Sequence, residues 1–98
     1  MVPNAPVEQT GTVTGRVINV YTGYGLYNAR VSINGTSLYT YSDRNGYFTL
    51  DNVPAGDQTL TISLYGYRTV SGNIPVNAGR TTNVTVRLTP NSYYYKLD

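Results

Sequence analysis

Histidine and cysteine are both absent from the 98-residue chain, and charged residues are scarce. Without cysteine, the chain has no disulfide, no thiolate nucleophile and no cysteine-ligated metal. Without histidine, it lacks the commonest general base and the commonest transition-metal ligand. Charged residues make up 12% of the chain, about half of the usual share of ~25%. The composition therefore predicts no catalytic residue, no bound metal and no cofactor.

Long apolar runs and clusters of basic residues are also missing. No stretch approaches the ~18–20 apolar residues of a transmembrane helix. The first ten residues lack the basic segment and apolar core of a signal peptide. The net charge is +2, but the six arginines and the lysine are scattered along the chain. Because they form no basic stripe, we expect no nucleic-acid partner, and we predict neither membrane insertion nor a signal peptide in this chain.

Apolar residues alternate with polar ones in seven short segments, which is the pattern of half-buried β-strands. Turn-forming residues separate most of the segments, and Asn45-Gly46 favours a tight turn with a positive φ. No segment has the period of a helix. The sequence therefore predicts an all-β fold, a seven-stranded antiparallel β-sandwich. The predicted strands are 15–20, 26–34, 38–42, 47–50, 58–64, 69–76 and 82–88.

The two ends of the chain fit this pattern poorly. We interpret residues 1–11 as an extended N-terminal arm, residues 12–89 as the sandwich domain, and residues 90–98 as a tyrosine-rich C-terminal tail. Either end is a candidate strand for the open sheet edge of a neighbouring subunit. A disordered terminus is the alternative interpretation.

The spacing of glycines, turns and inward residues resembles that of a known domain family. The most specific part runs through Asp43, Asn45-Gly46, Phe48, Leu50, Val53-Pro54 and Gly56. It is preceded by Gly15-Arg16-Val17 and followed by Leu60, Ile62 and Gly66-Tyr67. These residues resemble the carboxypeptidase regulatory-like family, also described as transthyretin-like or prealbumin-like, over residues 12–88. The resemblance implies a transthyretin-like or Ig-like sandwich without catalytic chemistry. One departure is Gln58, which stands where the family usually has an aromatic residue, and we expect it to face inward or lie at the rim.

Tyrosine is the one unusual abundance, with eleven Tyr beside a single Phe and no Trp. Tyrosine offers a large, rigid contact area with a polar tip and is enriched at interfaces. The competing interpretation is that outward tyrosines simply favour strands. We expect Tyr39, Tyr41 and Tyr47 to form one outward patch around a hairpin turn, and Tyr67 to pack against the core as in the family. The candidate binding or interface residues are Tyr21, Tyr24, Tyr27, Tyr39, Tyr41, Tyr47, Tyr65, Tyr93, Tyr94 and Tyr95.

Three functions remain open, and an enzyme is not among them. The first is a non-catalytic extracellular or particle-surface module with a structural or assembly role, as in a surface layer, a filament or a virion decoration. The second is a binding module for a glycan or a protein, natural or engineered, that uses tyrosine-rich loops. The third is an accessory domain of a larger hydrolase. The expected partner is protein, either a second copy or another surface protein, with glycan as the alternative. The expected location is extracellular, on a cell surface or on a virion surface.

Overall fold

The computed structural model describes residues 9–91 and arranges them as two packed β-sheets. A three-stranded sheet has the order β4-β1-β7, and a four-stranded sheet has the order β3-β2-β5-β6. The described residues contain no helix long and apolar enough to cross a membrane. The strands are β1 (Thr10–Asn19), β2 (Arg30–Ile33), β3 (Tyr39–Tyr41), β4 (Tyr47–Pro54), β5 (Gly56–Ser63), β6 (Val70–Val76) and β7 (Thr81–Leu88).

Alternation along the strands creates the core, because successive side chains point to opposite faces of a sheet. Phe48 and Leu50 of β4 belong to the same continuous apolar cluster as Val31 and Ile33 of β2. The predicted all-β sandwich is thus confirmed. The predicted inward residues that are buried are Ala29, Val31, Ile33, Phe48, Leu50, Leu60, Ile62, Ile74, Val76, Val86 and Leu88. The predicted inward residues that are partly buried against the cluster are Leu64, Val70 and Val84.

Two details of the predicted sheets were wrong. The pairing of β1 with β7 is parallel, whereas the sequence predicted antiparallel sheets throughout. The turn between β6 and β7 lies beside the start of β1, where the Gly79 N–H donates to the Thr10 carbonyl, so β7 must run in the same direction as β1. In addition, β1 begins at Thr10 and not at Gly15, so residues 10 and 11 of the predicted arm are part of this strand.

The two ends of the sandwich differ in their loops. At the loop end, where β1 finishes, lie the connections 20–29, 42–46 and 64–69. The other end, the turn end, carries the connections at Ala55, residues 34–38 and residues 77–80. The described chain enters at the turn end, where the Ala55 N–H donates to the Gln9 carbonyl, and leaves at the loop end, where the Asn91 N–H donates to the Gly66 carbonyl.

Candidate functional site

The acidic residues of the described chain form no metal site. Residues 9–91 hold no group of three or more His, Cys, Asp or Glu that would bind a metal ion. Asp51 lies on β4 of the three-stranded sheet and Asp57 on β5 of the four-stranded sheet. These two carboxylates, which bracket one turn in the sequence, therefore belong to different layers. The candidate site must be sought in the exposed tyrosines.

Four of the predicted tyrosines lie at the loop end of the sandwich. Tyr21, Tyr24 and Tyr27 belong to the connection between β1 and β2, and Tyr65 belongs to the connection between β5 and β6. Tyr24 is 75% exposed and Tyr65 is 100% exposed. The Arg44 guanidinium lies 5.9 Å from the centre of the Tyr27 ring. We call these four tyrosines together with Arg44 the loop surface.

The first part of the β1–β2 connection is fixed by Asn19 at the end of β1. Its side-chain oxygen accepts hydrogen bonds from the backbone N–H groups of Tyr21 and Thr22, at 2.7 and 3.2 Å. The Asn19 carbonyl accepts a further bond from Gly23, whose φ of 77° glycine adopts without steric cost. The Asn19 N–H donates to the Tyr24 carbonyl and closes the loop. The tyrosines at this position are thus presented on a hydrogen-bonded turn.

The second part of the same connection is held by Ser42, the only polar residue among residues 9–91 that is buried. Its hydroxyl accepts a 2.8 Å bond from the Ala29 N–H and donates a 2.6 Å bond to the Leu26 carbonyl. Tyr27 and Asn28 lie between these two anchor points. A buried polar group that satisfies two backbone partners stiffens the segment around it. The sequence reasoning missed Ser42, because a serine at the end of a strand is usually exposed.

Tyr39 and Tyr41 form a second group on the outer face of β3, the β3 patch. Their ring centres are 5.8 Å apart at an interplanar angle of 80°, an edge-to-face contact. The Arg30 guanidinium of the neighbouring strand β2 lies 4.7 Å from the centre of the Tyr39 ring. A cation–π contact of this kind contributes ~0.5–1 kcal/mol at an exposed site and limits the motion of the two side chains.

The prediction that Tyr47 joins this patch was wrong. Asp43–Gly46 does not close a hairpin within one sheet but carries the chain from β3 in the four-stranded sheet to β4 in the three-stranded sheet. Tyr47 therefore lies on the outer face of the other layer, beneath the Arg16 guanidinium at 4.9 Å. Gly46 does have the predicted positive φ, at 90°. Alternation indicates which side chains point outward, but it does not indicate which sheet a strand joins.

Of the remaining predictions on single residues, two are confirmed and three concern residues outside the described part of the chain. Tyr67 packs against the core, and its hydroxyl accepts a 3.4 Å bond from the Asn19 side chain. Gln58 is partly buried and donates a 2.9 Å bond to the Pro54 carbonyl. Both agree with the expectation. Tyr93, Tyr94 and Tyr95 lie outside the described residues.

Comparison with known families gives one match over most of the chain. The sequence pattern of the CarboxypepD_reg-like domain matches residues 13–96. The matched region includes all of β2 to β7 and continues eight residues past Leu88, where β7 ends. A comparison with curated proteins finds no match.

Solved structures with the same fold include a chain of a cohesin–dockerin complex, a pilin and an enzyme. A chain of a type II cohesin–X-dockerin complex from Acetivibrio cellulolyticus matches with a TM-score of 0.67 and 26% identity, covering 82% of this chain and 58% of that one. The minor pilin of Streptococcus agalactiae matches at 0.70 and 14%, covering 94% and 49%. The 3-chlorocatechol 1,2-dioxygenase of Rhodococcus opacus matches at 0.67 and 13%, covering 86% and 61%. In each case the chain spans less than two thirds of the other protein, and the likeness to the pilin and the dioxygenase shows the fold alone.

Proposed function

The chain belongs to the CarboxypepD_reg-like domain family, and we propose that it is a non-catalytic extracellular or cell-surface module with a structural role in protein assembly. The observation that carries the proposal is the loop surface, where tyrosines stand exposed on hydrogen-bonded loops at one end of the sandwich. Rigid, exposed aromatic area binds protein partners at a low cost in side-chain entropy. The likeness to a chain of a cohesin–dockerin complex, at 26% identity, supports this role.

A catalytic role has less support. The fold is shared with a dioxygenase, but a fold hosts unrelated functions, and the argument for function must come from the site. Among residues 9–91 there is no metal-binding cluster, and the chain has no histidine or cysteine to serve as a base or nucleophile. The described surface instead offers uncharged polar side chains and aromatic rings, which suit binding.

The mass of the full chain in solution tests the proposed assembly. We expect light scattering to give a mass that rises from monomer to dimer or larger between low micromolar and near-millimolar concentration. Replacing both Tyr24 and Tyr65 by serine is expected to weaken any contact made by the loop surface. The matched control is Tyr47→Ser, an exposed tyrosine on a sheet face. A monomeric mass at every concentration, for all three proteins, would count against self-assembly.

Glycan binding is the second candidate, and the β3 patch favours it. Beside Tyr39 and Tyr41, the outer face of the four-stranded sheet carries hydroxyl and amide groups, among them Thr61, which bonds to both Asn34 and Ser71. A flat polar face next to exposed rings is suited to stacking and hydrogen bonding with a sugar chain. We expect Tyr41→Ala to reduce any binding on a glycan array at least tenfold. Tyr47→Ala should leave it unchanged, and equal losses in both variants would remove the β3 patch as the site.

The role of accessory domain in a larger hydrolase remains the third proposal. The chain spans less than two thirds of the related structures, which is compatible with a module that works beside others. This proposal predicts a monomer with no glycan binding of its own. The two measurements above therefore separate it from both alternatives.

A further inference from the structure

One side of the sandwich is open between the two sheets. β6 is the last strand of the four-stranded sheet, and β7 is the last strand of the three-stranded sheet. Between these two edges lies a groove of ≈ 280 Å³ lined by apolar core residues that include Ile62, Ile74 and Val86. Its volume lies at or below the low end of ligand pockets, which span ~300–1,000 Å³. The groove therefore suits a few side chains of an extended segment better than a whole small molecule.

The groove opens along the side of the sandwich, and hydrogen bonds tie β6 and β7 together at both of its ends. At the loop end the Arg68 N–H donates to the Thr89 carbonyl. Near the turn end the Thr82 hydroxyl donates a 2.7 Å bond to the Pro75 carbonyl and ties the two edges together. The lining on β6 begins at Val70 and the lining on β7 ends at Arg87, both at the loop end.

The two edge strands of the groove have few features that would hinder pairing with another β-strand. Natural edge strands are usually guarded by charges, prolines or bulges. β6 has no charged residue, and its proline, Pro75, lies in the part that is already tied to Thr82. β7 has one charged residue, Arg87, near the loop end. The backbone of Val70–Ile74 and of Thr82–Val86 is thus suited to accept an added strand.

The chain itself supplies a segment of suitable length at the correct end. The described residues end at Asn91, which bonds to Gly66 at the loop end. The seven residues 92–98 span up to ~23 Å when extended, at ~3.3 Å per residue, which matches the seven residues of β6. The family pattern continues to Lys96, so most of this segment belongs to the domain. Extended, it places Tyr93, Tyr95 and Leu97 on one face, and Tyr94 and Lys96 on the other.

Residues 89–91 run away from the groove of their own copy. The Arg68 N–H donates to the Thr89 carbonyl, and the Asn91 N–H donates to the Gly66 carbonyl. The chain therefore moves from the start of β6 back toward the end of β5, over the tip of the connecting loop. A neighbouring copy is the better acceptor.

We propose that the β6–β7 groove receives residues 92–98 of a second copy as an added strand, with Tyr93, Tyr95 and Leu97 facing the apolar floor. The inference rests on the proposed assembly function and names its contact surface. Because the described chain ends at the loop end, beside one end of the groove, we expect two copies to exchange segments reciprocally. Such an exchange closes on itself and gives a symmetric dimer and not an open filament.

Cysteine pairs test this arrangement cleanly, since the chain has no cysteine of its own. One full-length chain carries Val84→Cys in the groove, and a second carries Tyr93→Cys or Tyr95→Cys. Disulfides require Cβ atoms within ~3.5–4.5 Å of each other. On mixing and mild oxidation, we expect at least one of these two pairs to form a cross-linked heterodimer several times more abundantly than pairs with Tyr94→Cys or Lys96→Cys.

The controls separate this inference from the proposed function. Thr49→Cys, on the outer face of β4, is the matched control for Val84→Cys and is expected to cross-link poorly with every tail cysteine. Equal cross-linking of the four tail positions, or equal cross-linking to Thr49→Cys, would overturn the exchange. If the wild-type mass also rises with concentration, the assembly function then stands while its surface lies elsewhere. A wild-type chain that stays monomeric at every concentration would contradict both the segment exchange and the assembly function.

Discussion

Replacing Gly25 by alanine is expected to lower the free energy of unfolding by roughly 3 kcal/mol, the upper part of the range for overpacking. A Cβ at this position would overlap the backbone carbonyl of Asn45. Backbone atoms cannot rotate away as a flexible side chain does, so the connection 20–29 or the turn 42–46 must shift. Each kcal/mol lowers the melting temperature of a domain of this size by about 4–8 °C, so thermal unfolding followed by circular dichroism measures the effect.

Gly23→Ala in the same loop is the matched control. A Cβ at Gly23 meets nothing within 4 Å, but its φ is 77°. The substitution therefore costs only the left-handed backbone conformation, about 1 kcal/mol. We expect Gly25→Ala also to displace Tyr24 and Tyr27, and thus to weaken any contact of the loop surface, while Gly23→Ala leaves it intact. Equal stability of the two variants would show that the contact between Gly25 and Asn45 does not fix the loops.

Replacing Phe48 by alanine is expected to cost about 3–5 kcal/mol, the usual loss for a buried aromatic side chain. Phe48 is the only phenylalanine, is 4% exposed, and pairs with Gly15 of β1. A Cβ at Gly15 would come within 2.7 Å of the Phe48 ring, so the ring fills the space that the glycine leaves. Since a domain of this size has a total stability of roughly 5–15 kcal/mol, the variant will be close to unfolding at body temperature. Urea denaturation measures the change.

Two further substitutions serve as controls for the size of this effect. Phe48→Leu keeps most of the apolar volume and should cost under about 1.5 kcal/mol. Tyr47→Ala, one residue away on the outer face, should change stability by about 0.5 kcal/mol. If Phe48→Ala cost no more than Tyr47→Ala, the burial of Phe48 between the sheets would be contradicted.

The alternation of residues was sufficient to predict which side chains of the strands face the core. In β5, Leu60 and Ile62 face inward and Thr59 and Thr61 outward, which follows from a period of two alone. Strand ends were less predictable, because 26–29 alternate as a strand does but are held as a loop by hydrogen bonds to Val17 and Ser42. Hydrogen bonds of this kind depend on residues distant in the sequence.

The placement of strands in sheets was the part that the sequence did not reveal. The residues Asp43–Gly46 have the chemistry of a hairpin turn, and the Asp43 carboxylate does accept bonds from the N–H groups of Asn45 and Tyr47. The same turn serves equally well to cross between layers. The arginines that lie over Tyr39 and Tyr47 were missed for a similar reason, because each is brought there by a neighbouring strand.

These results locate the distinctive chemistry of the chain on its surface. The core is an ordinary alternation of aliphatic residues with one phenylalanine, whereas the exposed tyrosines of residues 9–91 lie at the loop end, on β3 and on β4. The groove between β6 and β7 adds an apolar site at an open edge. The central claim is that copies of the chain assemble through the loop end and the adjacent groove between β6 and β7.

Amide chemical shifts of the isotope-labelled full chain, compared between dilute and concentrated solution, test this claim most directly. The account predicts that self-association shifts the amides of Val70–Ile74 and Thr82–Arg87, together with those of the loop surface. The amides of β3 and of residues 47–50 should stay unchanged and serve as the internal reference. Spectra that do not change with concentration, or shifts confined to β3 and residues 47–50, would contradict it.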